Sequence, residues 1–280
     1  FLILLYDTLS ARHTSLDGYP RRTTPNLERF AERATVYHAH YAGGNFTNPG
    51  TASLLTGTYP WTHRSMQLYS PVLASQADKN LFRALGRSQY HGLAYSHNLV
   101  ATTMLHQFND DLDTLKKTRD LCIYDPGFSD RLFWHDYNVA TWREITLKGL
   151  SSGPTSLFYG LSYKKYWREH KRAMDIEYAH RFPRGIPSHH DQLFLLEDTM
   201  DWLRDNLATL PQPFIVYFHL SPPHSPYRPS REFVGIFDED GERSERAGWM
   251  PIPKPEHHFT QGLSYLDLAT SAKEYDEYIA

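Results

Sequence analysis

The chain has 280 residues, 40% of them hydrophobic and 14% aromatic, and a formal net charge of −3. That length supports a substantial core, as one large domain or two small ones, and the charge balance lacks the basic field that would point to nucleic acid. No apolar run approaches the ~20 residues needed to span a bilayer, and the single cysteine, Cys122, excludes an intrachain disulfide and any Cys-built metal cluster.

The first six residues, "FLILLY", read as a short strand buried on both faces, with Asp7 at its carboxyl end. The chain starts inside this strand without Met or a leader-like segment, and it closes on "TSAKEYDEYIA", a helical pattern without a stop signal. Both ends look cut, so the sequence is expected to be a fragment of a longer protein. Residues 23–34 predict a helix, with Thr24 as N-cap, Pro25 in the first turn and Leu27, Phe30, Ala31 and Ala34 at helical spacing. "TVYHAHYA", 35–42, alternates as a strand would. Residues 49–56 read as a helix stopped by Gly57. "KNLFRALGRSQYHGLAYSHN" reads as helix, turn and strand. Residues 191–207 form a strongly amphipathic helical pattern, and "PFIVYFHL", 213–220, is a second apolar strand before the turn-rich "SPPHSPYRPS". Strands alternating with helices predict an α/β fold with a largely parallel sheet. Residues 109–190 have a weak pattern rich in Tyr, Trp, Arg and Lys. They read as an insertion or cleft-shaping region, although "YKKYWREHKR" also fits a solvated helical face.

Three positions could carry chemistry. Asp7, at the carboxyl end of the first strand, sits where open α/β sheets bind ligands and could give a cation an oxygen ligand, or it could simply form a turn. Thr47, in "NFTNPGTASLLTG", lies at a helix start. There it could be an ordinary cap, or a hydroxyl aimed at an anion drawn by the helix N-terminus. Gly50 would leave room for an ester oxyanion. "NFT" is also an N-glycosylation sequon at Asn45, a pattern common by chance. His224, just past the second apolar strand, could protonate a leaving alkoxide. His63 could turn back towards the same pocket, and His97 and Asn98 end another strand.

The segments "LILLYDTLSARHTSLDGYPRRTTPNLERFAERATVYHAHYA", "TNPGTASLLTGTYPWTHR", "LFRALGRSQYHGLAYSHN" and "PFIVYFHLSPPHSPYRPS", in that order, resemble the sulfatase family of the alkaline phosphatase superfamily. The resemblance implies that residues 1–280 are part of a catalytic domain, with an alkaline-phosphatase-like sheet carrying helices on both faces and truncated at the C-terminus. It implies hydrolysis of sulfate or phosphate esters of a small molecule, glycan or lipid. Thr47 and His224 would be catalytic, and Gly50, His63 and His97 would bind substrate. A divalent metal (Ca, Zn, Mn or Mg) would be held by Asp7 and Thr47, with further ligands from an Asp–His or Asp–Asn pair expected beyond Ala280. Four positions depart from the family pattern. Thr47 stands where sulfatases carry the Cys or Ser converted to formylglycine, so no formylglycine is expected. Thr51 replaces the usual Arg, Thr8 replaces a frequent second Asp, and "YSHN" lies where a Gly-Lys-Trp-His element is usual. Threonine nucleophiles are usual in related phosphodiesterases and phosphoethanolamine-type transferases. A phosphotransferase, or a degenerate binding protein that keeps only the fold, is therefore an alternative.

Overall fold

The structure, a computed structural model, describes residues 1–123, 157–189, 192–238 and 265–280. Part of the expected insertion at 109–190 thus lies outside the described residues. The main sheet contains β1 (Leu2–Tyr6), β2 (His91–Ser96), β3 (Thr114–Leu115) and β6 (Phe214–Leu220), while β4 (Ser188–His189) and β5 (Gln192–Leu193) form a separate antiparallel pair. In the main sheet the order is β1-β6-β2-β3 and every pairing is parallel. The helices are α1 (Pro25–Ala31), α2 (Thr47–Thr56), α3 (Pro60–His63), α4 (Ala74–Ala77), α5 (Leu81–Gly86), α6 (Leu99–Gln107), α7 (Leu157–Glu177), α8 (Leu196–Leu207) and α9 (Tyr265–Ile279).

Side chains on a strand alternate between its two faces, and here each face meets different helices. Ile3 and Leu5 of β1, Ala94 of β2, and Ile215 and Tyr217 of β6 pack against Ala52 and Leu55 of α2, Phe82 of α5 and Met104 and Leu105 of α6. The neighbouring positions, Leu4, Tyr6, Leu93, Tyr95, Val216, Phe218 and Leu220, pack against Leu203, Leu196 and Met200 of α8. β6 is central because both of its faces are covered by helices, which explains its continuous apolar run.

The sequence reading is corrected at three places. Residues 35–42 form no strand: Tyr37 and Tyr41 are 77% and 85% exposed, so the alternation follows no buried face. The helix expected over 191–207 starts at Leu196, because Gln192 and Leu193 pair with β4 instead. The helix expected over 49–56 starts two residues earlier, at Thr47. "YKKYWREHKR" lies within α7 and has two sides. Lys165 and Glu169 face solvent as an exposed pair, whereas Trp167 packs on a small core of Phe182, Ile186, Leu193 and Leu195.

Ile215 is 1% exposed at the centre of the core between β6 and α2. Ile215→Ala is expected to lower stability by about 2–5 kcal/mol through lost contacts and a residual cavity. Urea denaturation should show a lower midpoint with an unchanged slope.

Candidate functional site

The parallel pairing brings three strand ends to one edge. Asp7 follows β1 and donates its backbone N–H to Leu220 O of β6 at 2.9 Å. His97 follows β2 and donates its backbone N–H to His219 O at 2.9 Å. The alternation then sorts the side chains. Asp7 continues the parity of Ile3 and Leu5, and His219 continues that of Ile215 and Tyr217, so both turn towards α2.

Thr47 begins α2, but it does not cap it. The N-cap is Phe46, and no side-chain hydrogen bond caps the helix. The capping reading of Thr47 is therefore not what the structure contains. The helix start is held from outside instead: Asn48 donates to Ser70 O at 3.1 Å and accepts from Tyr69 N–H at 2.9 Å. The preceding loop lies so close that a Cβ on Gly44 would come within 2.5 Å of Pro49 Cβ. Only a glycine fits there without displacing the loop. Gly57 closes the helix in the left-handed region, φ 64°, with its N–H bonded to Ser53 O at 2.9 Å.

Asn98 joins the two candidate residues. Its Oδ1 accepts from Val100 N–H at 2.9 Å and Ala101 N–H at 3.3 Å, capping α6. That fixes the amide orientation, since the helix N–H groups require the oxygen. Nδ2 is left to donate to Asp7 Oδ2 at 2.5 Å and to Thr47 Oγ1 at 3.3 Å. Asp7, Thr47, Gly50 and His219 line a cavity of about 700 Å³ whose exposed margin includes Tyr41 and Tyr59.

Asp7 is 7% exposed. Burial alone would raise its pKa. Adjacent His219, the charge of His224 and the Asn98 amide outweigh that effect and hold the carboxyl below its ordinary value. His219 is itself buried, 1% exposed, with Nδ1 in contact with Tyr217 Oη at 3.1 Å. Its Nε2 lies 3.4 Å from Asp7 Oδ2 without hydrogen-bond geometry and has no hydrogen-bond partner among the described residues. The contact is electrostatic, and Nε2 is a buried polar atom beside the cavity.

The remaining sequence candidates fall elsewhere. His63 is fully buried: Nδ1 accepts from Ser65 N–H and Nε2 bonds Ser53 Oγ, both at 3.1 Å. It supports α2 from within the core and does not line the cavity. His97 has the parity of Leu93 and Tyr95, so it faces α8. There its Nε2 bonds Thr199 Oγ1 at 3.1 Å and its ring stacks on Phe194 at 4.2 Å. Asn98, one residue on, takes the cavity side. His224 is not part of the cavity lining. It is partly buried, its ring meets His189 edge-on at 5.1 Å, and its Nδ1–H donates to Ser225 O at 2.7 Å. Any proton it exchanges therefore passes through Nε2. The sequence reading gave Asn98 little weight and did not single out His219 within its apolar strand. Counting alternate positions along "FIVYFHL" and "GLAYSHN" from the apolar core faces would have pointed to both.

Burial, and secondarily the charge of His219, pushes the His97 pKa from 6.5 down to about 3. The folded state then binds fewer protons than the unfolded state between those values, so stability rises with pH across the window and is lost as pH falls through it. His97→Gln is expected to remove this group's share of the slope, up to ~1.4 kcal/mol per pH unit. Urea titrations from neutral pH to pH ~4 would reveal it, and an unchanged slope would contradict the assignment.

The sequence model of one protein family, described as Sulfatase, matches residues 1–280. N-acetylgalactosamine-6-sulfatase of Sus scrofa is 37% identical over 59 residues, which cover 21% of this chain and 11% of that protein. The corresponding enzyme of Canis lupus familiaris is 36% identical over a stretch of the same length. The chain thus matches only a small part of these curated relatives. Among solved structures, phosphonate monoester hydrolase SpPMH from Silicibacter pomeroyi aligns at TM-score 0.49 and 17% identity, over 100% of this chain and 56% of that one. Phosphonate monoester hydrolase of Agrobacterium radiobacter aligns at TM-score 0.46 and 19% identity, over 83% of this chain and 42% of that one.

Proposed function

The chain belongs to the sulfatase family, and on that premise we propose that it carries the nucleophile end of a site that hydrolyses sulfate or phosphate esters. The observation that carries the reading is the shared amide. Thr47 Oγ1 and Asp7 Oδ2 both accept from Asn98 Nδ2, at the mouth of a helix whose N-terminus attracts an anion. Because Thr47 is an acceptor in this contact and does not cap α2, its own proton is free to leave when the oxygen attacks.

The sulfatase family generally uses a divalent metal. Asp7 suits one: its carboxyl stays ionised despite burial, and Thr47 adds a second hard oxygen within the same cavity. Among the described residues no group of three or more His, Cys, Asp or Glu converges. Asp7 and Thr47 would therefore be part of a ligand set completed by other residues. When bound, the ion would neutralise ester oxygens and favour the ionised hydroxyl.

In this reading Thr47 passes its hydroxyl proton to water in the cavity as its Oγ forms a bond to sulfur or phosphorus and the ester bond to the leaving oxygen breaks. His224, outside the cavity lining but near enough for its charge to act on Asp7, would give a proton from Nε2 to a leaving oxygen that extends past the cavity wall. Water then cleaves the Thr47 ester and restores the hydroxyl. The substrate would be a sulfate or phosphate ester of a small molecule, glycan or lipid.

Thr47→Ala in the intact protein is expected to lower kcat for an aryl sulfate or aryl phosphate by at least ~10³-fold while leaving the thermal midpoint close to wild type. Thr47→Ser, which keeps a hydroxyl, should retain measurable turnover. Undiminished hydrolysis by Thr47→Ala would rule out this nucleophile.

A further inference from the structure

Thr8, next to Asp7, has φ 64°. A β-branched residue rarely enters this left-handed region, because its Cβ crowds the backbone. The local support is weak: Leu9 N–H reaches Tyr6 O at 3.4 Å. The firm support comes from α9, 267 positions along the chain. The Tyr275 hydroxyl donates to Thr8 O at 2.6 Å and accepts from Ser10 N–H at 2.9 Å. Tyr275 is 8% exposed, and burial pushes its phenol up to about 12, so it keeps its proton. The adjacent Asp276 is fully buried and fixes the helix to the same segment. Its carboxylate is bonded by Arg21 and His13 at 2.6 Å and by Tyr19 at 2.7 Å.

We propose that Tyr275 is a positioning residue for Asp7: by bridging Thr8 C=O and Ser10 N–H, its hydroxyl holds the strained turn that directs the Asp7 carboxylate towards Thr47. The proposal rests on the reading of Asp7 and Thr47 given above. Asp276 and its three partners dock α9, and the Tyr275 hydroxyl acts on the turn itself. Without that hydroxyl, Thr8 relaxes towards negative φ. This rotates the peptide that follows Asp7 and moves the carboxylate relative to Asn98 and Thr47. Glycine adopts the left-handed conformation at no steric cost, so the need for the hydroxyl depends on the side chain at position 8.

The test is a double-mutant cycle in the intact protein. Tyr275→Phe is expected to lower kcat/KM about tenfold, mainly through kcat. It should also weaken, by a similar factor, calorimetric binding of whichever of Ca²⁺, Mg²⁺, Mn²⁺ or Zn²⁺ reactivates chelator-treated protein. In a Thr8→Gly background the same Tyr275→Phe change should cost at most about twofold. A hydroxyl that only helps to dock α9 would cost the same in both backgrounds, and that result overturns the proposal. So does wild-type turnover and ion affinity in Tyr275→Phe. Asp7→Asn separates the two levels. If it abolishes ion binding and turnover while Tyr275→Phe changes neither, only the positioning role fails. If Asp7→Asn changes nothing, the reading of the site fails and the positioning role fails with it.

Discussion

One side-chain amide joins the strand that ends at Asp7 to the helix that begins at Thr47. Asn98 spends both amide hydrogens on these two residues and its oxygen on the N-terminus of α6. A buried donor to an ionised carboxylate is among the stronger hydrogen bonds, worth about 1.5–3 kcal/mol. Because the oxygen is committed to the helix, the amide cannot flip and present an acceptor to Asp7. The fixed amide ties Asp7 and Thr47 to one donor at the cavity.

The electrostatics of the edge are built to keep a buried carboxylate charged. Asp7 has lost most of its contact with water, yet its pKa is lowered. His219 and Asn98 act at contact distance, and His224 adds its charge. Such a group is costly unless it has a function or a complete set of partners. His219 Nε2, in contact with Asp7 but without a hydrogen bond among the described residues, sits on the same wall.

The support for this edge comes from parts of the chain far apart in sequence. The helix carrying Thr47 is held through Asn48, through His63 beneath Ser53, and through close loop packing at Gly44. The turn after Asp7 is held by α9. Thr51 is buried at 3% exposed on the same cavity wall. Thr8, Thr47 and Thr51 fall on the walls of one cavity.

The sequence by itself determined the main apolar strands and the helices around the site, though not the β4–β5 pair or the irregular segment at 35–42. Continuous apolar runs marked β1 and β6 because strands covered on both faces need no polar side. Thr24–Pro25 and Gly57 marked helix ends because their backbone preferences are local. Asp7 and Thr47 were legible because each sits at the end of an element, where alternation and helix period both run out. Tertiary structure decided which neighbour reaches the cavity. His97 and Asn98 are adjacent and both polar, but only the order of helices over the two sheet faces makes the odd-numbered one structural and the even-numbered one part of the site. It also brought in Tyr275, whose role depends on a contact across nearly the whole chain that no local pattern encodes.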